Sequence, residues 1–289
     1  MSEVLQRIGA HAADYRDPLA AIDWRAADAD LPWLPLQLLS IDGMAERDVA
    51  SPEDLVRFSQ IEFARLCAAG MWLEGLLINR VSINGFLGLD VDEARIALQE
   101  VREESGHSLM FLEMMQRAGA AGFPLLGDTA LLSWVARRLK PAGAEFWAMV
   151  YIGETVTDTF GLRALKAVRA GQAAICPVAR QVLELHHKDE ARHIAASRVF
   201  LTNRLDRMTG VRLAVFRRTL RFLLDRFLDA TLFPTPASLA AAGFQDADRL
   251  ARDIRACPTR RALARECARP ALDLLTANGV LKVTPGDAT

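Results

Sequence analysis

What this chain lacks narrows it first. No run of 18 uninterrupted apolar residues occurs, so no membrane-spanning helix is expected. Met1 to Asp30 mixes acidic and basic residues and holds no apolar core of signal-peptide length, which predicts a cytoplasmic protein. Charge of one sign is missing too. Lysine and arginine total 35 against 36 acidic residues, a net charge of −1, and this weighs against a nucleic-acid or anionic-membrane partner held by bulk electrostatics. The four cysteines, Cys67, Cys176, Cys257 and Cys267, form no CxxC pair and read as reduced, small apolar residues. Alternating β-branched runs between turn dipeptides are absent, so a sheet-based fold is not expected. Tyrosine occurs only as Tyr15 and Tyr151, which leaves little material for a tyrosyl radical.

What is there is helix-forming. Hydrophobic residues make up 51% of 289, enough for a sizeable core in one large domain or two small ones. Residues 1–50 look irregular: Pro18, Pro32 and Pro35 interrupt every helical pattern, and Trp24, Trp33 and Leu34 look like anchors for an extended arm. Ser51, Pro52 and Glu53-Asp54 mark a helix start, with the helix running to about Asn79. A loop at Gly85 and Gly88 follows, then a second helix capped by Asp90 or Asp92 and reaching about Ala118. Asp128 caps a short helix ending before Pro141. Long helices are expected over about 142–168 and 177–206, an amphipathic one over 211–232, a break at Pro234 and Pro236, and shorter helices near 245–256 and 259–277. The expected fold is all-α, an N-terminal arm (1–50) on a helical domain (51–289).

The richest stretch is His186-His187-Lys188-Asp189-Glu190-Ala191-Arg192-His193. His186, Glu190 and His193 stand at i, i+4 and i+7, within roughly 60° of arc on one helical face. Glu104-Ser-Gly-His107 repeats the Glu-x-x-His spacing. Glu74 and Glu154 each sit in an apolar helical stretch, where a carboxylate must pair, take a proton or bind a metal. In the order lone Glu, Glu-x-x-His, lone Glu, Glu-x-x-His, these pieces fit the recipe for a dimetal carboxylate site within a four-helix bundle. Four carboxylates can neutralise two divalent ions in a low-dielectric core, and imidazoles tolerate both ferrous and ferric iron; the same ligands accept manganese. Two rivals remain. Glu103 stands four residues before His107 and competes with Glu104. Glu62 competes with Glu74, but its neighbours Ser59-Gln60 and Ala64-Arg65 are more polar and favour an exposed Glu62.

Glu74-Gly-Leu-Leu-Ile-Asn, Glu104-Ser-Gly-His107, Gly153-Glu154-Thr-Val-Thr-Asp and His186-His-Lys-Asp-Glu190-Ala-Arg-His193 together resemble the non-haem diiron N-oxygenases of the p-aminobenzoate N-oxygenase type, within the ferritin-like superfamily. The resemblance covers roughly residues 50 to 235. It implies a ferritin-like bundle with additional helices, two iron ions and O2 as co-substrate. The ligands would be Glu74, Glu104, His107, Glu154, His186, Glu190 and His193, with His186 as the extra imidazole that sets this family apart. Asp189 is a candidate partner for a ring N–H of a ligand histidine; alternatively it pairs with Lys188 or Arg192 at the surface.

The activity implied is O2-dependent N-oxygenation of an amine, often an arylamine, to hydroxylamine, nitroso or nitro products in a biosynthetic pathway. An external electron donor and a homodimer are implied as well. Competing readings are a diiron C–H hydroxylase or desaturase, an iron-handling ferritin-like protein and an all-α interaction module. The helix over 211–232 carries Arg212, Arg217, Arg218, Arg221 and Arg226. One of these could clamp a substrate carboxylate, or all could lie in water on an ordinary amphipathic helix.

Overall fold

Side-chain caps open the first two long helices, and left-handed glycines close two. In the computed structural model, which describes residues 3–11, 15–84 and 89–281, the arm contributes α1 (Glu3–His11), α2 (Pro18–Ala21) and α3 (Ala45–Val49). The body follows as α4 (Pro52–Asn84), α5 (Val91–Arg117), α6 (Ala130–Ala136), α7 (Ala144–Arg169), α8 (Pro177–Leu205), α9 (Gly210–Leu232), α10 (Pro236–Ala241), α11 (Ala247–Ala256) and α12 (Pro258–Ala277). Among the described residues there is no strand. Ser51 and Asp54 cap α4 reciprocally: Asp54 N donates to Ser51 Oγ at 3.1 Å and Ser51 N to Asp54 Oδ2 at 3.2 Å, satisfying two otherwise orphaned groups. Asp90 caps α5 by accepting from the backbone of Asp92 and Glu93 at 3.0 and 2.8 Å. Gly119 and Gly171, at φ +61° and +68°, end α5 and α7 in the left-handed conformation that glycine adopts without strain. The loop expected at Gly85 and Gly88 lies outside the described residues.

Helix α4 packs along α5 and α7 along α8, with further contacts of α4 on α7 and of α5 on α8. The four make the bundle. Its interior includes Trp147, Phe146, Phe160, Phe200 and Met110, all essentially inaccessible. Helix α12 lies along α7, α9 covers α4, and α1 and α2 lie on α5. Cys67, Cys176 and Cys267 are buried free thiols and Cys257 is half-buried.

Two expectations need correcting. The arm is not irregular over its described residues. Pro18 opens α2, with Asp17 accepting from Leu19 N at 2.9 Å, and 3₁₀ turns occupy Trp24–Ala26 and Leu36–Leu38. A proline read as a breaker is here the first residue of a helix, where its missing N–H costs nothing. The same error hid α10: Pro236 starts it behind a Thr235/Ser238 capping box. The anchors hold in part, for Trp33 and Leu34 are buried and Trp33 meets Phe63 edge-on at 5.7 Å, while Trp24 is half-buried.

Glu62 is the second correction. It is only 2% exposed. Ser40 N donates to its Oε2 at 2.7 Å, and Arg65, equally buried, lies 3.9 Å from its Oε1. Arg65 and Arg260 both donate to the carbonyl of Leu232, and Arg260 reaches Leu38 O at 3.0 Å. This buried charge knot ties the arm, α4 and the C-terminal helices together. The neighbours of Glu62 are polar because they belong to the knot, not because they face water.

Candidate metal centre

Each long helix of the bundle turns one or more ionisable side chains inward. Glu74 comes from α4, Glu104 and His107 from α5, Glu154 from α7, and His186, Glu190 and His193 from α8; all are buried except His186, which is half-buried. The apolar turns around them drive the burial, and the carboxylates follow. Glu74, Glu104, Glu154, His186 and Glu190 line one cavity. Ligand atoms of Glu104, His107, Glu190 and His193 all lie within 4.8 Å of one another, and so do those of Glu74, His107 and His186.

Glu104 is central. Its Oε2 lies 3.0 Å from His107 Nδ1 and its Oε1 lies 3.1 Å from His193 Nδ1, one oxygen toward each imidazole. Glu190 mirrors it from α8, with Oε1 3.2 Å from His186 Nε2, 3.5 Å from His193 Nδ1 and 3.8 Å from His107 Nδ1. The two lone carboxylates are held alike. Ser108 Oγ donates to Glu74 Oε2 at 2.6 Å and Ser197 Oγ donates to Glu154 Oε2 at 3.0 Å, which leaves Oε1 of each without a hydrogen-bond partner. Oε2 of Glu190 is unpartnered, and Nδ1 of His193 makes no well-formed hydrogen bond despite its short approach to Glu104.

The far sides of the histidines are also held. His107 Nε2 faces Asp189 Oδ2 at 3.2 Å and His193 Nε2 faces Glu103 Oε2 at 2.9 Å. One guanidinium nitrogen of Arg192 joins the two carboxylates, 2.8 Å from Glu103 and 2.9 Å from Asp189. A carboxylate on Nε2 directs the Nδ1 lone pair inward and raises its basicity. Glu103 therefore supports His193 from behind, while Glu104 points into the cavity. His187 turns the other way and pairs with Asp158 at 2.6 Å.

Protons carry the charge balance of the metal-free cluster. Burial, then repulsion from Glu104, pushes the Glu74 carboxyl well up; burial, then Glu190, does the same to Glu154. Burial opposes a charged His107, but hydrogen bonds to Asp189 and Glu104 overcome it and carry the imidazole up to about 10. His193 is likewise raised against burial, chiefly by Glu104. Loss of contact with water, then the charge of His107, draws His186 down to about 3. Unpartnered carboxylate oxygens and trapped protons converging on one cavity are what divalent cations replace when they bind between oxygen and imidazole donors. The donor set fits two such ions.

One residue escaped the sequence reading. Glu100 on α5 is 3% exposed and neither of its carboxylate oxygens has a partner. Burial raises it to about 8, against the pull of His193. A signal was there: Glu100, Glu104 and His107 repeat the i, i+4, i+7 spacing of His186, Glu190 and His193. Fixing on the Glu-x-x-His pair alone hid the third member.

A ferritin-like helical bundle with buried carboxylates and imidazoles on its four inward faces is the architecture of the dimetal carboxylate oxidases. The model of the p-aminobenzoate N-oxygenase AurF family matches residues 1–279, and the chain belongs to that family. Uncharacterised proteins of Mycobacterium tuberculosis and Mycobacterium bovis are 27% identical over 206 residues, 67% of this chain. That match spans 58% of the relatives' own length. Among solved structures, R2-like ligand-binding oxidases superpose over nearly the whole chain. A variant with an anaerobically reconstituted Mn/Fe cofactor gives a TM-score of 0.53 at 13% identity, covering 98% of this chain and 94% of that one. An aerobically reconstituted Mn/Fe form gives 0.51 at 12% identity over 97% and 93%. At such identity the likeness is one of fold.

Proposed function

We propose that this protein is an O2-activating dimetal N-oxygenase acting on a small-molecule amine. The observation that carries the proposal is the convergence of carboxylates and imidazoles from four helices, five of them lining one cavity and several with unpartnered atoms, in a chain of the AurF family. Glu74, Glu104, His107, Glu154, His186, Glu190 and His193 would hold two iron ions, with manganese an alternative occupant. When bound, the ions supply the redox chemistry that reduces O2 and delivers an oxygen atom. The chain supplies the rest. Ser108 and Ser197 orient the lone carboxylates. Asp189, Glu103 and Arg192 hold the imidazoles with Nδ1 inward. Apolar walls, among them Leu73, Leu77 and Val150, keep bulk water off the reacting atoms.

Converting an amine and O2 to a hydroxylamine and water consumes two electrons and two protons, so an external reductant belongs to the proposal. A homodimer does too, supported by Leu98, Leu109 and Leu112, three exposed side chains on one face of α5; the solution molar mass tests it. Among the described residues no helix is long and apolar enough to cross a membrane. That and the free thiols fit the expected cytoplasmic location. To test the activity, iron-loaded, reduced protein is exposed to O2 with a panel of aryl and alkyl amines, and products are read by mass spectrometry. Iron uptake without O2-dependent oxidation of any amine would overturn the reading.

A further inference from the structure

A second cleft adjoins the metal cavity. Gly70, Thr157 and His186 line both, so the two share a wall beside the donor set. The cleft holds about 540 Å³ between its walls, its open mouth included. Phe63, Phe111, Phe160 and Leu183 make its walls apolar, and the Phe111 ring lies 5.1 Å from that of His186. An apolar lining with a few polar groups is the character of a small-molecule site. Gly70 keeps the shared wall thin: a Cβ there would lie 2.5 Å from the Phe111 ring.

The polar groups of the cleft are few. Thr157 donates its hydroxyl back to Gly153 O at 3.0 Å, and the backbone carbonyl is thereby its partner. His187 is already taken up by Asp158, 2.6 Å away, so its imidazole is not free to meet an anion. Among the described residues, no lysine or arginine lines either cavity. Of the α9 arginines, Arg212 pairs with Glu145 at 2.6 Å, Arg217 donates to Gly279 O and Arg226 lies 3.8 Å from Asp128. A substrate carboxylate buried here would have no cation to meet it and would face Asp158, which is unfavourable.

We propose that this cleft is the amine-binding pocket and selects an uncharged, largely apolar amine, such as an arylamine without a carboxylate. The inference rests on the N-oxygenase reading and goes further by naming the substrate class. The amino group would lie at the His186 end, with the apolar body between the phenylalanines. A neutral hydroxyl or amide on the body could meet the Asp158–His187 pair, which can accept and donate.

The test is binding, measured calorimetrically without O2 on the metal-loaded protein, with 4-ethylaniline, 4-aminobenzamide and 4-aminobenzoate as probes. The two neutral amines are expected to bind at least about tenfold more tightly than the anion. Leu183→Trp, at a half-buried position that lines the cleft but not the metal cavity, should weaken the neutral amines by about tenfold or more while metal content stays unchanged. If that variant fails to fold, Leu66→Trp, at another half-buried wall position outside the metal cavity, fills the cleft and gives the same readout. Equal or tighter binding of 4-aminobenzoate, or neutral-amine affinity untouched by a folded cleft-filling variant, would overturn the proposal. Oxidation of 4-aminobenzoate with tight binding sinks the substrate class and leaves the N-oxygenase reading standing. Tight neutral-amine binding without oxidation of any amine does the reverse.

Discussion

Glu62 and Glu74 sit twelve residues apart on α4, both buried, and opposite consequences follow from removing their charges. Glu62 is the carboxylate of the knot that holds Arg65 and Arg260. At 3.9 Å, its attraction to Arg65 is ~4 kcal/mol with an effective dielectric constant near 20. Glu62→Gln keeps an acceptor for Ser40 N and relieves the cost of burying the carboxylate, but leaves two guanidinium groups buried without an opposing charge. Burial already draws Arg65 down to about 10 against the pull of Glu62. Breaking one side of a buried pair typically costs 3–5 kcal/mol, and the relief puts the expected loss near the lower end, about 3 kcal/mol. For a chain of 289 residues that is a fall in Tm of roughly 5 °C. Glu74→Gln should do the opposite. Burial and Glu104 already push its carboxyl toward the neutral form, so an uncharged isostere should leave the metal-free protein as stable or more so. Its cost appears in metal binding, as loss of more than the roughly 10–100-fold that removing a mere supporting partner causes. Thermal unfolding of metal-free protein, with iron stoichiometry after anaerobic loading, reads both. If Glu62→Gln unfolds within about 1 kcal/mol of the unsubstituted chain, or if it loses iron while Glu74→Gln keeps it, the assignment of the two carboxylates is wrong.

Metal uptake should release protons. His107, raised to about 10, is protonated in the metal-free protein at neutral pH and must deprotonate to bind, so affinity should climb with pH until pH passes about 10; calorimetry in buffers of different ionisation enthalpy counts the protons, and a heat independent of buffer would refute the scheme. His186→Ala should leave the fold intact and weaken or alter binding of the second metal ion, whereas His187→Ala, whose imidazole pairs with Asp158, should keep full metal content; equal iron occupancy and optical spectra in both variants would remove the distinction between them. Asp189→Asn and Glu103→Gln should each lower metal affinity by roughly 10–100-fold with little change in helicity, and their combination should be non-additive because Arg192 joins them; simple additivity by competition titration would count against the shared network.

Within the site, the division between sequence and structure follows the geometry of a helix. The choice of His186 over His187 is an angular one: only His186 shares the face of Glu190 and His193, and the period of 3.6 settles that without neighbours. The choice of Glu104 over Glu103 is less secure from spacing, because both reach His107 along the helix. Only α8, by bringing His193 and Arg192 against Glu103, turns that side chain into a support behind the imidazole. Glu62 misled for a related reason. Polar neighbours on a helix read as a wet surface until the arm and the C-terminal helices are known to cover them.

Local rules along the chain were enough for the long helices of the bundle, the caps at Ser51 and Asp90, and the inward facing of Glu74, Glu104, His107, Glu154, His186, Glu190 and His193. These depend on local torsions, on hydrogen bonds between residues close along the chain, and on the angle at which each side chain leaves its own helix. Tertiary structure alone decided the rest: the buried knot at Glu62, the unpartnered Glu100, the serines on the lone carboxylates, the Arg192 link and the apolar cleft beside His186. Each of these depends on which face of one helix meets which face of another. Burial and electrostatic partnership are sums over neighbours distant in the chain, and helical periodicity carries no record of which neighbours those are.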